Sequence, residues 1–509
     1  MKKTYHFPMV LLGCIATQIS LSSQKSTLPN ILIIYADDLG YGDTQCYNHQ
    51  GKIPTPNIDH LASQGMQFTD AHSSCSISSP SRYTLLTGRY HWRSKLQKGN
   101  VGMWDSPLIT YDRMTIAGMV KTKGYSTYAV GKWHLGWNWP FATDQKSHFT
   151  GFSGFEGKSN KIIMKTEASD EDKEIWAQVF SKPITGGPVE VGFDYYFGTD
   201  VPNWPPFCFI ENDHTLGIPT ELLDPELITY KMASYQGPAL KDWDLKNILP
   251  TFSNKVISII EEEGKSESPF LIYLPLPSPH EPIAVNENWN GKSGLNNKYS
   301  DYVTQTDHEI GRILKALEDN NLYRNTIVIF TSDNGSNKVG AEELKAQGHF
   351  VNGDLRGYKG DFWEGGHRIP FIIRYPGVTK AGSKSNLLVH QVDIMATIAD
   401  ILDIDMPKNI GEDSYSLFKI LKGSNKPPRK YAISTSGNGI QTIRKDSWKL
   451  ICTEVPQLYN LAEDIGESKN IASEFPKKIL KMLKVREAII LKGRSTRGTV
   501  QKNDVEVIR

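Results

Sequence analysis

Short, unbroken apolar runs recur along the chain. Asn30-Ile31-Leu32-Ile33-Ile34-Tyr35 is the first, and others lie at 270–274, 326–330 and 370–373. None alternates with polar residues, so each reads as a strand buried on both faces. Between them the apolar period lengthens to that of a helix: Ile310, Ile313, Leu314 and Leu317 share one face, and so do Val392, Met395, Ala399 and Leu402. Strands alternating with helices predict an α/β fold with a parallel sheet covered on both sides. Residues 140–250 are rich in Gly, Pro and Trp and weakly periodic, and read as long insertions around a site rather than a separate domain. A Gly/Pro/Ser and basic stretch at 422–430 reads as a linker. Beyond it, 431–461 alternates like short antiparallel strands, and 476–491 reads as a helix with Ile479, Leu483 and Ile490 inward. The basic tail from Lys492 is expected to be solvated or frayed.

Composition narrows the picture. The 509 residues suffice for one large domain with a smaller partner. A net charge of +1 gives no bias towards nucleic acid, and 39% hydrophobic with 22% charged residues is the balance of a soluble globular protein. The 11 Trp and 22 Tyr fit a sugar-handling surface or, more plainly, a large aromatic core. Lys2 and Lys3 before the apolar Pro8-Met9-Val10-Leu11-Leu12-Gly13 read as an export signal, and no later stretch is long enough to span a membrane. Two forms of signal stay open: a cleavable peptide over 1–24, or a lipoprotein signal in which Leu11-Leu12-Gly13-Cys14 places a lipid anchor on Cys14. The expected location is the periplasm, or the outer membrane as a lipoprotein, of a Gram-negative bacterium. The five cysteines form no metal-binding pattern and no dense disulfide framework.

Polar clusters follow two of the buried strands: Ala36-Asp37-Asp38 and Ser332-Asp333-Asn334-Gly335. Ligands of open α/β sheets collect beyond such strand ends. If the two ends converge, three carboxylates share a small space, and two of them about 4 Å apart repel by about 4 kcal/mol at an effective dielectric near 20. A dication would neutralise them, and an all-oxygen ligand set suits Ca²⁺ or Mg²⁺; either pair alone would more plainly cap a helix or make a turn. Lys132 and His134 stand two apart between Gly131 and Gly136, so in extended chain both face one way. His280 sits between Pro279 and Pro282 in a stiff loop suited to an acid or base. The Gly-flanked basic loops 355–360 and 364–368 read as an oxyanion clamp or as solvated turns. Together these residues suit a substrate with a tetrahedral anionic head, phosphate or sulfate.

The stretch Ser78-Ser79-Pro80-Ser81-Arg82, followed by Leu85-Leu86-Thr87-Gly88-Arg89, resembles the signature of the type I, formylglycine-dependent sulfatases, in the serine-type bacterial branch. That signature has Cys or Ser first, Pro two later and Arg four later. Ser78 satisfies it; Cys75, with Ile77 and Ser79 at those places, does not. The resemblance runs in order through most of 28–470, including "NILIIYADDLGYGD", Thr55 to Asp59, Gly131 to Gly136, Pro279-His280, Thr331 to Gly335, Lys359, Asp393, Trp448-Lys449-Leu450 and Leu458 to Leu461.

The resemblance implies an alkaline-phosphatase-like fold: a large mixed, mostly parallel sheet in a catalytic domain over 28–422, with a C-terminal subdomain over 431–509. It implies that Ser78 is oxidised to formylglycine (3-oxoalanine) by an anaerobic radical maturase of the S-adenosylmethionine type. It further implies one Ca²⁺ held by Asp37, Asp38, Asp333, Asn334 and residue 78. Arg82 would hold the aldehyde hydrate, Lys132 and Lys359 the sulfate oxygens, His134 the hydrate, and His280 would protonate the leaving alcohol. One hydroxyl of the hydrate attacks sulfur, and the other lets the aldehyde reform as sulfate leaves. The stretch 183–215 resembles glycan sulfatases of the arylsulfatase and N-acetylgalactosamine-6-sulfatase group. An exo-acting 6-O-sulfatase on galactose or N-acetylgalactosamine follows as the expectation, with Asp200, Trp204, Asp213 and His214 as sugar-pocket residues; packing of the insertion is the plainer reading of each. The alternatives are a phosphatase or phosphodiesterase of the same superfamily and a non-catalytic glycan-binding relative with unmodified Ser78.

Overall fold

The apolar runs become the middle of one ten-stranded sheet. A computed structural model describes residues 1, 28–149, 167–227, 235–338 and 340–509; the expected export signal and Cys14 lie outside the described residues. In chain order the strands are β1 (Asn30–Ala36), β2 (Met66–Phe68), β3 (Ser126–Lys132), β4 (Tyr195–Thr199), β5 (Ile210–Glu211), β6 (His214–Thr215), β7 (Phe270–Pro275), β8 (Thr326–Ser332), β9 (Phe371–Arg374) and β10 (Ser383–Ser385). Their spatial order is β10-β2-β9-β8-β1-β7-β3-β4-β5-β6. The five central strands β8, β1, β7, β3 and β4 are parallel, and β9 runs antiparallel to β8.

Alternate residues of β1 enter opposite cores, which is why its sequence is apolar throughout. Ile31, Ile33 and Tyr35 join the layer holding α2 (Ser78–Thr87) and α5 (Ile394–Ile401). Leu32, Ile34 and Ala36 join the layer holding α1 (Pro56–Gln64), α3 (Ile248–Glu263) and α4 (Lys298–Asp319). The insertion and the segment before it pack into both layers: Trp133, Trp137, Trp139, Trp176 and Trp204 are buried in the first, Phe197 and Phe207 in the second. Most of the aromatic richness is therefore core.

The register sets the site. Ala36 pairs with Ser332, so Asp37 and Asp333 leave neighbouring strand ends side by side. Backbone bonds to neighbouring segments hold both: Asp333 N–H donates to Ala36 O at 3.0 Å, and Asp37 N–H to Ser278 O, beyond the end of β7, at 3.0 Å. Gly131 lets β3 run close to β7; it has φ 138°, and a Cβ there would lie 2.0 Å from Pro275 O.

Towards the C-terminus, β11 (Ala432–Thr435), β12 (Gln441–Lys445), β13 (Trp448–Ile451) and β14 (Gln457–Asn460) form an antiparallel sheet. Ile433, Ile443, Leu450 and Leu458 pack on Met482 and Ile490 of α6 (Pro476–Leu491), with Ile479 and Leu483 at the margin. Two expectations fail here. The tail beyond Lys492 is anchored rather than frayed: Arg494 is buried, Ser495 N–H donates to Asp413 Oδ1 at 2.9 Å, and Asp504 pairs with Arg89 at 3.0 Å. The loop at 364–368 is neither an oxyanion clamp nor a solvated turn. Glu364 is buried between the two sheets and pairs with Arg444 and Lys449, each at 3.1 Å, while Lys449 also reaches Glu467 at 2.7 Å. His72 and His367 face each other through ring nitrogens 3.1 Å apart, and His72 meets Asp70 at 2.8 Å. Glycine flanks suggested exposure, but they serve close backbone packing: a Cβ on Gly365 would lie 2.2 Å from Gly357 O.

This buried network makes stability pH-dependent. Burial is the main cause holding His72, His91, His367 and His390 below the usual histidine range. In the unfolded chain each titrates near 6.5, so the unfolded state binds the extra protons as pH falls. The stability these histidines contribute is complete above about pH 6.5 and is lost below it, by about 1 kcal/mol per histidine between pH 7.5 and 5.5. The raised carboxyls Asp200 and Asp333 take up protons in the folded state and work the other way. The histidine share is therefore read by comparison with His91→Gln, whose urea midpoint is expected to fall less than that of wild type between pH 7.5 and about 5.5. An equal fall would mean that His91 folds in the protonated form.

Candidate active site

Ser78 is the first residue of α2, whose every side chain is buried, and this explains the crowd of hydroxyls around it. They satisfy one another and the backbone: Ser74 Oγ with Thr84 Oγ1 at 2.8 Å, Ser81 Oγ with Cys75 O at 2.9 Å, Thr87 Oγ1 with Tyr83 O at 2.7 Å. Gly88, with φ 63°, ends the helix in left-handed conformation. The two arginines of the stretch divide the work. Arg89 turns away to Glu412 and Asp504, at 3.2 and 3.0 Å. Arg82 turns inward, its Nη2 lying 3.3 Å from Asp37 Oδ1 and 3.1 Å from Asp333 Oδ2.

Around Arg82 the expected residues converge from separate strand ends. Ser78 Oγ donates to Asp37 Oδ1 at 3.2 Å. Lys132, the last residue of β3, places Nζ 2.7 Å from Asp37 Oδ2, and Lys359 Nζ stands 2.8 Å from Asp38 Oδ2. Asn334 Nδ2 donates to Asp38 Oδ1 at 2.7 Å, and Asp38 N–H to Asp333 Oδ1 at 3.0 Å. His280 Nε2 is 3.8 Å from Asp38 Oδ2, and its Nδ1 faces the carbonyl of Glu281. The cluster opens on one side. Asp37, Asp38, Arg82, Lys132 and Asp333 have fully covered side chains, whereas Lys359 and His280 are 17% and 12% exposed.

His134 stands near enough to Lys132, Arg82 and Asp37 for their charges to act on it, but the chain brings it there by a different route from the one expected. It does not continue the strand beyond Lys132; its φ of 54° turns the chain. Asp200 holds that turn, its Oδ1 accepting from His134 N–H and from Trp137 Nε1, each at 3.2 Å. Trp204 packs edge-on against the His134 ring, centroids 5.1 Å apart. Asp213 and His214 pair with each other at 2.7 Å in the exposed β5–β6 hairpin.

Electrostatics follow from this packing. Burial alone would raise Asp37, but Lys132 foremost, with His280 and Arg82, holds it well below the usual carboxylate range. Asp333 is pushed up to about 7 by burial and by the neighbouring Asp37. Burial, then Lys359, lowers His280 to about 4. Three acids thus face three cations, with Asp333 short of positive charge.

The donor set fits a hard dication. Asp37, Asp38, Asp333 and Asn334 offer only oxygens, and Asn334 Oδ1 is buried with no hydrogen-bond partner among the described residues. Asp37 and Asp38 also form, with His280, a group whose ligand atoms lie within 4.8 Å of one another. A hard dication such as Ca²⁺ would meet both needs, with Asn334 Oδ1 available as a ligand and positive charge wanted beside Asp333.

One layer behind, a chain of contacts that the sequence did not announce supports the loop. Asp43 accepts from Gly40 N–H at 2.8 Å, from Tyr299 OH, and from His349 Nε2 at 3.0 Å. Tyr299 OH also reaches Ser336 Oγ at 2.9 Å, and Ser336 O accepts from Lys359 N–H at 2.9 Å. The only local signal was Asp43 itself, five residues after Asp38; its partners come from distant segments.

A strand-end cluster of acids, lysines and histidines around a helix-borne serine defines a hydrolase of anionic esters on a sulfatase-type fold. Comparison with known proteins agrees. The Sulfatase family model matches residues 29–404, and the model for the C-terminal part of N-sulphoglucosamine sulphohydrolase matches 358–490. The chain belongs to the sulfatase family and is a sulfuric ester hydrolase. It is 31% identical to an N-acetylgalactosamine-6-O-sulfatase of Bacteroides thetaiotaomicron, over 94% of this chain and 96% of that protein. It is 27% identical to human arylsulfatase A, over 87% and 83% of the two chains. A solved 6S-sulfatase structure from work on glycosaminoglycan metabolism by Bacteroides thetaiotaomicron superposes with a TM-score of 0.76 at 30% identity, covering 91% of this chain and 99% of that one. The phosphonate monoester hydrolase of Agrobacterium radiobacter shares the fold, with a TM-score of 0.58 at 20% identity over 91% and 95% of the chains.

Proposed function

We propose that this enzyme removes sulfate from a sulfated glycan, as an exo-acting 6-O-sulfatase on galactose or N-acetylgalactosamine units, using formylglycine made from Ser78 and one Ca²⁺. The observation that carries the reading is the convergence of Ser78, Arg82, Lys132 and Lys359 on Asp37, Asp38 and Asp333 at adjoining strand ends. The likeness to the N-acetylgalactosamine-6-O-sulfatase supports the choice of sugar and position.

Asp37, Asp38, Asp333, Asn334 and residue 78 would hold the calcium ion, which supplies a fixed positive charge for a sulfate oxygen. The aldehyde hydrate at 78 supplies a hydroxyl nucleophile and a second hydroxyl through which sulfate can be expelled. Position 78 at the start of a helix adds a favourable dipole for anions. Lys132 and Lys359 take up sulfate oxygens, exchanging carboxylate partners for the substrate. His134, both of whose ring nitrogens lack partners among the described residues, takes or returns the proton of the side chain at 78. His280 presents Nε2 to the leaving oxygen. An anionic ester beside it would offset the repulsion from Lys359 and so favour the imidazolium needed for proton donation, against the burial that lowers it. Asp200 keeps His134 in its turn, and it lines a sugar pocket with Trp204; Asp213 and His214 extend that pocket at the sheet edge. Maturation calls for an anaerobic radical maturase. The N-terminal signal directs the protein to the periplasm, or to the outer membrane if Cys14 carries lipid.

The test is sulfate release from 6-O-, 4-O- and 2-O-sulfated galactose and N-acetylgalactosamine, with phosphate monoesters in parallel, on protein verified at residue 78. Preference for the 6-O-sulfates is expected. A 4-O or 2-O preference would overturn the positional assignment, and faster phosphate release would overturn the sulfatase assignment.

A further inference from the structure

The residue after His280 has no role in the chemistry above, yet it is placed where a role is open to it. Glu281 is 6% exposed, and its Oε1 is buried with no hydrogen-bond partner among the described residues. It lies between the prolines 279 and 282 that restrict the loop, and Asp38 and Lys359 are the charges that face it. Leaving a buried carboxyl oxygen unmatched costs roughly 1–3 kcal/mol. A surface glutamate would avoid that cost by turning to water. This one is retained at the side of the cluster where Lys359 and His280 are exposed, the side by which a substrate enters.

We propose that Glu281 is a specificity-determining residue: its carboxyl binds a hydroxyl of the sugar whose sulfate is cleaved. The inference rests on the sulfatase reading, with His280 at the leaving oxygen. Adjacent residues are about 3.8 Å apart along the chain, so a group beside His280 meets substituents next to the ester carbon rather than the sulfate itself. Sulfate would be repelled by a carboxylate; a hydroxyl is not. The buried Oε1 accepts a hydrogen bond and has no donor among the described residues; a sugar hydroxyl supplies one. The partnerless oxygen then finds its donor only when the correct sugar is bound, and a substrate lacking the hydroxyl leaves it unmatched.

The experiment compares wild type, Glu281→Gln and Glu281→Ala on N-acetylgalactosamine 6-sulfate and on 4-nitrophenyl sulfate, which carries no hydroxyl. All three proteins are verified at residue 78 and compared by thermal unfolding. For Glu281→Ala kcat/KM on the sugar sulfate is expected to fall roughly 10- to 100-fold, mainly through KM, and the ratio of sugar to aryl activity at least tenfold. Glu281→Gln, which keeps a neutral acceptor at that place, is expected to fall less. A loss of the same size on both substrates would overturn the proposal, because it would place Glu281 behind His280 rather than against the sugar. An unchanged ratio with no loss would overturn it as well. Wild type that cleaves neither sulfate ester would instead overturn the sulfatase reading beneath it. The isosteric Gln variant guards against misfolding, since it removes no contact of the free enzyme.

Discussion

Ser78→Ala is expected to fold normally and to lose sulfate release almost completely, with kcat down on the order of 10⁶-fold, the scale of deleting a nucleophile from an intact site. The two halves of this expectation have separate physical causes. The hydroxyl of Ser78 makes one long hydrogen bond, 3.2 Å to Asp37, and the methyl of alanine fits where the serine Cβ already sits. Alanine at the first position of a helix carries no conformational penalty. Little stability is lost, about 1 kcal/mol or less. Activity, by contrast, depends on an atom that only serine, or a residue the maturase accepts in its place, can provide. Residual turnover within tenfold of wild type would mean that another group attacks sulfur.

Asp37→Asn is expected to strike both stability and activity. Asp37 is the acid that meets Lys132 at 2.7 Å, Arg82 at 3.3 Å and Ser78 at 3.2 Å, all out of contact with solvent. Neutralising it leaves two buried cations sharing fewer anions, a change that costs about 3–5 kcal/mol. It also removes a charged oxygen from the proposed ion site. For wild type, Ca²⁺ at a hundredfold excess over its dissociation constant is expected to add about 2.7 kcal/mol of stability, and chelation to remove it. The variant is expected to unfold at lower denaturant and to respond weakly to either treatment. A variant that kept the full calcium-dependent shift would place the ion elsewhere.

How much of this was legible beforehand depended on how local each signal was. The central strands were readable because burial on both faces demands an unbroken apolar run, as in Ile31 to Ile34. The proposed metal loop was readable because Asp37-Asp38 and Asp333-Asn334 each follow such a run, and the Ala36–Ser332 pairing then sets them side by side. The helix at Pro476–Leu491 followed from its period alone. What failed was long-range. Nothing near Glu364 tells that Lys449 and Arg444, some eighty residues on, will bury it. The same holds for Ser495 and Asp504, which carry the tail back to Asp413 and Arg89. Lys132 and His134 were expected to face one way through strand alternation; the chain instead turns at His134, and Asp200 braces that turn. Glu281 escaped notice because a glutamate beside a proline looks like an ordinary surface residue until its surroundings are known.

The central claim is the chemical identity of the side chain at position 78. Trypsin is expected to release the peptide from Ile53 to Arg82, which contains that position. Its mass, measured on active protein from the native host, decides the matter. The account predicts a peptide two hydrogens lighter than its sequence with serine at 78, and reaction of that peptide with a hydrazine. Fully active protein carrying an unmodified alcohol at that position would contradict it.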